Sequence, residues 1–229
     1  MKVILWDFDG TLAYRDGMWS ATPLEVLRST CPDTHVTREQ IRPYVQTGFP
    51  WHTPSLPHTD SSSSDEWWAG LTPVFERAFT GVGVDGALAR EMSRQVRARF
   101  LDQAAWHLYD DVLPTLAGLA EQGWSHNILS NHVPELADLV RALGLAELID
   151  AVHCSAVSGY EKPHPEAFRK ATEGLPPDNA VWMIGDNMDV DVLGAEACGI
   201  PAILVRKPDS RAARYSGGLT GVGQLLNGT

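Results

Sequence analysis

The sequence contains little of several features that mark special classes of protein. Among its 229 residues there are three cysteines, and they stand far apart at positions 31, 154 and 198. They match neither the spacing of a zinc site nor a disulfide framework, so we expect a protein of a reducing compartment, the cytoplasm. Basic residues are also scarce, because 18 Lys and Arg stand against 29 Asp and Glu. The net charge of −11 argues against nucleic acid or an anionic membrane as a partner.

Long apolar runs are missing as well. No stretch approaches the roughly 18 apolar residues of a membrane span, and the first residues do not resemble a signal peptide. Hydrophobic residues make up 44% of the chain and charged residues 21%, which is the composition of an ordinary globular protein. The negative net charge leaves a small phosphorylated partner open, because a local cluster of donors can overcome a distant charge.

From residue 110 onward, short apolar strands alternate with helices. Strands are predicted at residues 2–6, 124–129, 151–156, 181–184 and 202–205, and helices at 112–122, 134–143, 165–173 and 191–198. Gly123, Gly144 and the Pro176-Pro177 pair are expected to end three of these helices. Strands separated by helices of about ten residues imply an α/β fold, a Rossmann-like parallel sheet with helices on both faces.

The region between the first two strands has a different pattern, with no convincing buried strand. Helices are predicted to begin at Thr22 and Thr37 and to cover residues 65–79 and 85–106. Thr37 and Gln40 form a capping-box pattern, and residues 48–64 are predicted as a long loop. We therefore expect an α/β core domain of residues 1–13 and 109–229, interrupted by an all-helical domain of residues 14–108.

Polar residues stand at the predicted strand ends. The first strand ends in Asp7 and Asp9, whose side chains share one face of an extended chain. Two carboxylates this close repel each other unless a cation or a proton lies between them, and oxygen ligands suit Mg²⁺. Ser130, Asn131 and Asp186 also end predicted strands, at the edge where parallel sheets bind ligands. Taken alone, the acidic turn is also compatible with a solvated strand end, although the metal site is the favoured interpretation.

Four short motifs follow one another along the chain, each at the end of a predicted element. They are Asp7-Phe8-Asp9-Gly10-Thr11-Leu12, Leu129-Ser130-Asn131, Glu161-Lys162-Pro163, and Gly185-Asp186 followed by Asp191. Together they resemble the four motifs of the haloacid dehalogenase-like (HAD) hydrolase superfamily. The helical insertion is similar in position and character to the type 1 cap of that superfamily. The resemblance implies a hydrolase that uses Mg²⁺ and, in its phosphatase branch, an aspartyl-phosphate intermediate.

The resemblance also implies a role for each matching residue. Asp7 would be the nucleophile, and Asp9 would be the general acid and base. Mg²⁺ would be held by Asp7, the backbone carbonyl of Asp9 and Asp186. The phosphoryl oxygens would be bound by Ser130, Asn131 and Lys162. Asp191 would orient the metal's water molecules or Lys162 without binding the metal, whereas Asp189 is expected to cap a helix.

Other activities of the superfamily are separated by particular residues. Dehalogenases that resemble this chain lack the second acid of the first motif, so Asp9 disfavours dehalogenation. Phosphonatases use a cap lysine, and no lysine lies in residues 14–108. We therefore predict a Mg²⁺-dependent phosphatase of a small phosphorylated metabolite. Phosphoglucomutase-like transfer within a sugar phosphate is the alternative, and a non-catalytic metal- or phosphate-binding module is third because it would not need Asp9. No motif indicates the substrate or the oligomeric state.

Overall fold

The computed structural model describes residues 2–61, 63–176 and 180–227. Pro177, part of a predicted helix stop, lies outside these residues. The chain divides into two compact units, of which the first contains Met1–Tyr14, Pro54–Thr59 and His107–Thr229 and the second contains Arg15–Thr53 and Asp60–Trp106. A short piece of the predicted loop, Pro54–Thr59, thus belongs to the first unit. We call it the returning segment.

A parallel sheet of six strands forms the centre of the first unit. The strands of the chain are β1 (Lys2–Trp6), β2 (Ala13–Arg15), β3 (Trp106–Leu108), β4 (Trp124–Ser130), β5 (Ala151–Cys154), β6 (Ala180–Gly185), β7 (Ala202–Val205) and β8 (Tyr215–Ser216). The sheet has the order β5-β4-β1-β6-β7-β8, with parallel pairing throughout, while β2 and β3 form a separate two-stranded sheet. The predicted α/β class is confirmed.

The middle strand β1 sets the position of the site. Its residues Val3 to Trp6 are at most 1% exposed, because both faces of the strand are covered. This burial explains why the strand is an unbroken apolar run rather than an alternating one. Trp6 lies opposite Ile128 of β4 and Ile184 of β6. The strand order reverses at β1, and ligands of such sheets bind beyond the carboxyl ends of the strands at that point.

The predicted helices are present with different ends, and the helices over residues 155–158 and 222–227 were not predicted. The helices of the chain are α1 (Met18–Thr30), α2 (Arg38–Ile41), α3 (Ser64–Gly81), α4 (Gly86–Phe100), α5 (Val112–Glu121), α6 (Leu136–Ala142), α7 (Ser155–Ser158), α8 (Pro165–Thr172), α9 (Leu193–Ala197) and α10 (Val222–Asn227). The predicted capping box is present, since Gln40 Oε1 accepts from the Thr37 N–H at 2.9 Å. Among the described residues, no helix combines the length and apolar character that a membrane crossing needs.

Several predicted boundaries were wrong for local reasons. The first helix begins at Met18 rather than Thr22, directly after Gly17, which precedes the helix with a left-handed φ of 69°. The helix predicted for residues 85–106 ends at Phe100, and Trp106 opens β3, a strand that was not predicted. The strand predicted for residues 151–156 ends at Cys154, where α7 follows.

The second unit is helical and has an aromatic interior. Trp19 stacks on Phe100 with ring centroids 4.2 Å apart and planes inclined by 9°. Trp67 and Trp68 of α3 are 5% and 6% exposed, so they belong to the core of this unit. Aromatic side chains bury large areas and favour such stacked and edge-to-face pairs, which accounts for the compactness of this unit.

Candidate active site

The carboxyl ends of β1, β4 and β6 bring several of the predicted side chains together. Asp7 directly follows β1, and its N–H extends the ladder by donating to the Ile184 carbonyl at 2.8 Å. Ser130 is the last residue of β4, and Asp186 follows the last residue of β6. Because these strands are neighbours in the sheet, their terminal residues lie at one edge.

One oxygen of the Asp7 carboxylate is firmly held. Ser130 Oγ donates to Asp7 Oδ1 at 3.0 Å, and Lys162 Nζ donates to the same oxygen at 2.8 Å. Thr11 Oγ1 lies 3.5 Å from Asp7 Oδ2, at the limit of a hydrogen bond. The carboxylate is therefore oriented through Oδ1, while Oδ2 is the less engaged oxygen. An oriented carboxylate of this kind can act as a nucleophile.

Lys162 is a buried cation between two carboxylates. Its side chain is 1% exposed, and Nζ lies 2.8 Å from Asp7 Oδ1 and 2.6 Å from Asp191 Oδ1. Burial alone lowers the pKa of Lys162, but the Asp191 and Asp7 carboxylates outweigh it and hold that pKa above its ordinary value. The amide of Asn131 fixes the backbone, because Nδ2 donates to the Lys162 carbonyl at 2.8 Å and Oδ1 accepts from the Lys162 N–H at 2.7 Å. The Asn131 side chain thus orients Lys162.

Asp9 has surroundings that favour its protonated form. Burial raises the pKa of Asp9 well above its ordinary value, and the Asp7 and Asp186 carboxylates raise it further. Within residues 2–61, 63–176 and 180–227, Asp9 Oδ1 is a buried atom that no hydrogen-bond partner reaches. The side chain as a whole retains 26% of its surface, and His132 Nε2 lies 3.7 Å from Asp9 Oδ2. A protonated Asp9 can donate to a leaving oxygen.

Three buried carboxylates provide oxygen ligands of the kind that Mg²⁺ prefers. Oxygens of Asp7, Asp186 and Asp191 all lie within 4.8 Å of one another. Asp191 is already engaged, since Oδ1 accepts from Lys162 and Oδ2 accepts from the Asn187 N–H at 3.0 Å. This arrangement leaves Asp7 and Asp186 as the carboxylates that would hold the metal.

Two glycines let these carboxylates approach the backbone. A Cβ on Gly10 would overlap the Asp186 carboxylate, and a Cβ on Gly185 would overlap that of Asp191. Burial raises the pKa of Asp186 and of Asp191, and the Asp7 carboxylate raises both further. A divalent cation would relieve this repulsion, so the residues present fit Mg²⁺.

Sequence reasoning missed two side chains of this site. Lys207 follows β7, and its Nζ lies 2.5 Å from Asp186 Oδ2. The position of Lys207 after a strand could have indicated it as a site residue, as the same kind of position did for Asp186. His132 is buried next to Asn131, and burial lowers its pKa to about 4. Its ring is therefore neutral near pH 7 and adds no positive charge beside Asp9.

The returning segment contacts Gly159 and Glu161, which precede Lys162 in the chain. The His58 N–H donates to the Gly159 carbonyl at 2.7 Å, and His58 Nδ1 lies 2.6 Å from Glu161 Oε2. The Glu161 side chain is 1% exposed. Burial raises the pKa of Glu161, although His58 opposes the rise. A lone histidine in a predicted loop gave no signal that could have found this contact.

Comparisons with known proteins identify relatives of the chain. A family model described as haloacid dehalogenase-like hydrolase matches residues 1–199. The chain is 30% identical over 149 residues to haloacid dehalogenase-like hydrolase domain-containing protein 3 of Bos taurus, a match that spans 64% of this chain and 58% of that protein. It is 34% identical over 142 residues to phosphoserine phosphatase of Thermus thermophilus, spanning 60% and 56%. The chain thus matches little more than half the length of these relatives.

Solved structures resemble the fold over nearly the whole chain. The HAD-hydrolase YfnB of Bacillus subtilis, solved with bound magnesium, has a TM-score of 0.72 at 21% identity and covers 99% of this chain and 98% of its own. Other structures of this fold are 2-haloacid dehalogenases, so the fold does not distinguish a phosphatase from a dehalogenase. The family match and the four motifs agree, and the chain belongs to the haloacid dehalogenase-like hydrolase family.

Proposed function

We propose that this hydrolase is a Mg²⁺-dependent phosphatase that cleaves a small phosphorylated metabolite through an aspartyl-phosphate on Asp7. The observation that carries the proposal is the pairing of an anchored Asp7 carboxylate with Asp9, a second acid whose pKa is raised. Halide ions need no proton when they leave, whereas an alkoxide does, so a protonated Asp9 favours phosphate ester cleavage over dehalogenation. The similarity to a phosphoserine phosphatase supports the same class.

In the first step, a carboxylate oxygen of Asp7 attacks phosphorus and the ester P–O bond breaks. The leaving oxygen takes the proton of Asp9, so the alcohol departs neutral and Asp9 becomes a carboxylate. In this proposal Lys162 donates to the phosphoryl oxygens from its place beside Asp7, and Ser130 does so by turning its single O–H from Asp7 to the phosphoryl group. Such preorganised donors stabilise the charge of the transition state.

In the second step, water attacks the phosphorus of the aspartyl-phosphate. The Asp9 carboxylate takes a proton from that water, the bond between phosphorus and the Asp7 oxygen breaks, and inorganic phosphate forms. Asp9 is thereby protonated again, ready for the next turnover. Bound Mg²⁺, held by Asp7, Asp186 and the backbone carbonyl of Asp9, would neutralise negative charge on the phosphoryl group. In this proposal the helical second unit is the cap domain.

The test is release of inorganic phosphate from a panel of phosphorylated metabolites, with Mg²⁺ and with a chelator. We expect Asp7→Asn to abolish release, and Asp9→Asn to slow it by about 10²–10⁴-fold, the usual contribution of a general acid. Asp189→Asn is the matched control, because Asp189 is 68% exposed and pairs with Arg211 on the surface. Wild-type turnover in Asp7→Asn would contradict the mechanism. Loss of substrate without phosphate release would indicate transfer within the substrate instead.

A further inference from the structure

Lys207 reaches into the acidic site from its rim. Its side chain is 73% exposed, yet its Nζ lies 2.5 Å from Asp186 Oδ2, and the Asp186 side chain is only 6% exposed. A flexible, solvated side chain therefore places its charge against one of the two carboxylates proposed to hold the metal. Nothing in the reaction described above uses this ammonium.

The preceding residue fixes the direction of Lys207. Arg206 has a φ of 63°, a backbone conformation that L-residues rarely adopt. Its guanidinium binds both carboxylate oxygens of Asp111, at 2.8 and 3.4 Å, while Nε donates to the Thr11 carbonyl at 2.8 Å. The same guanidinium lies 3.6 Å from the centre of the Tyr109 ring. These contacts hold the chain in a turn from which the Lys207 side chain can extend to Asp186.

The two lysines of the site differ in how firmly they are held. Lys162 is 1% exposed and bridges Asp7 and Asp191, so removing its charge would leave two carboxylates without their shared cation. Lys207 pairs with the Asp186 carboxylate, and 73% of its side chain is exposed. An exposed lysine regains rotamer freedom and hydration when it leaves a partner, so its ion pair is weak and readily exchanged.

We propose that Lys207 is an intramolecular competitor of the metal ion, neutralising Asp186 when no metal is bound and leaving it when the metal binds. The inference rests on the metal site of the proposed function. Mg²⁺ and an ammonium beside the same carboxylate repel each other, and the exposed Lys207 side chain, unlike the buried Lys162, can move into solvent, so binding of Mg²⁺ to Asp186 favours its departure. Without metal, the Lys207 ammonium neutralises part of the charge of the site. The site therefore binds Mg²⁺ less tightly than it would without Lys207.

The experiment is isothermal titration of Mg²⁺ alone into the wild type, Lys207→Gln and Lys207→Arg. Lys207→Gln should bind Mg²⁺ about 2- to 5-fold more tightly, as expected when a weak ion pair no longer competes. Lys207→Arg keeps the charge and should bind like the wild type. Lys170→Gln is the control, because the Lys170 ammonium contacts the Tyr160 ring instead of a carboxylate of the site.

Thermal unfolding gives a second readout that does not depend on turnover. Lys207→Gln should melt below the wild type in chelator and reach the wild type at saturating Mg²⁺, because tighter binding offsets the lost ion pair. Equal or weaker Mg²⁺ affinity in Lys207→Gln would overturn the competition, even if phosphatase activity is present. In a parallel titration with inorganic phosphate, weaker phosphate binding by Lys207→Gln at unchanged Mg²⁺ affinity would also overturn it and assign Lys207 to the substrate. A wild type that binds no Mg²⁺ would overturn the metal site itself.

Discussion

Substitution of His58 by alanine should destabilise the first unit, because the buried Glu161 carboxylate loses its contact with His58. Glu161 Oε2 lies 2.6 Å from His58 Nδ1, and the Glu161 side chain is 1% exposed. Removing one partner of a fully buried ion pair costs about 3–5 kcal/mol, because the other charge is left in a medium of low polarity. The His58 side chain retains 26% of its surface, so water screens part of the interaction. We therefore expect His58→Ala to lower the free energy of unfolding by about 1–3 kcal/mol at pH 7.

The stability lost through His58→Ala should be larger at pH 7 than at pH 4.5. Burial raises the pKa of Glu161 in the folded protein above its unfolded value. A carboxyl with a raised pKa stabilises the fold most below the unfolded pKa, near 4.5, and this stabilisation is lost as the pH rises through the folded pKa. His58 opposes this rise in pKa, so its removal should raise the pKa of Glu161 further and increase the stability that is lost as the pH rises. His58→Ala should therefore be close to the wild type at pH 4.5 and clearly less stable at pH 7.

The measurement is a double-mutant cycle in urea with His58→Ala, Glu161→Gln and the combined variant. Glutamine has the shape of glutamate without its charge, so the combined variant should lose much less than the sum of the single losses. A coupling energy of about 1 kcal/mol or more would support the reasoning. Additive losses, or an equal loss from His58→Ala at pH 4.5 and pH 7, would refute it.

Two further predictions concern buried polar residues of the first unit. His126→Leu should cost about 1–3 kcal/mol, because the Trp6 Nε1–H, which donates to His126 Nδ1 at 3.0 Å, is left unsatisfied. Burial also lowers the pKa of His126, so the stability contributed by its neutral ring is present above pH 6.5 and lost as the pH falls. Urea titrations at pH 5 and pH 7 should therefore show a smaller difference in the free energy of unfolding for the leucine variant than for the wild type. Lys162→Met should abolish phosphate release and lower the free energy of unfolding by about 3–5 kcal/mol, because Asp7 and Asp191 lose their shared cation. Retained turnover in Lys162→Met, measured beside Lys170→Met, would contradict the role given to Lys162.

The convergence of Asp7, Ser130 and Asp186 could be predicted because it follows from strand direction alone. Parallel strands end at the same edge, so a polar residue directly after a buried strand is placed without knowledge of its neighbours. Lys162 precedes a helix rather than following a strand, and only the motif resemblance indicated it. The roles of these residues stay predictions until turnover is measured.

Features that depend on side-chain contacts were not visible in the sequence. The turn before α9 begins with a π-helix at Met188–Val192, earlier than the predicted start at Asp191. The reason is that Asn187 Oδ1 accepts from the N–H groups of Asp189 and Val190, at 3.1 Å each. Asn187, and not Asp189, is therefore the helix cap. The contact between His58 and Glu161 joins residues 103 positions apart, a separation over which no local pattern carries information.

The returning segment changes how the two units can be separated. Because Pro54–Thr59 belongs to the first unit while its flanks belong to the second, the chain passes from one unit to the other four times instead of twice. The helical unit is therefore not a single continuous insert. Replacing residues 15–106 by a short linker would remove His58 together with the helices and leave the Glu161 carboxylate in the core without that contact. An isolated α/β unit made in this way would need Glu161→Gln to avoid that buried charge.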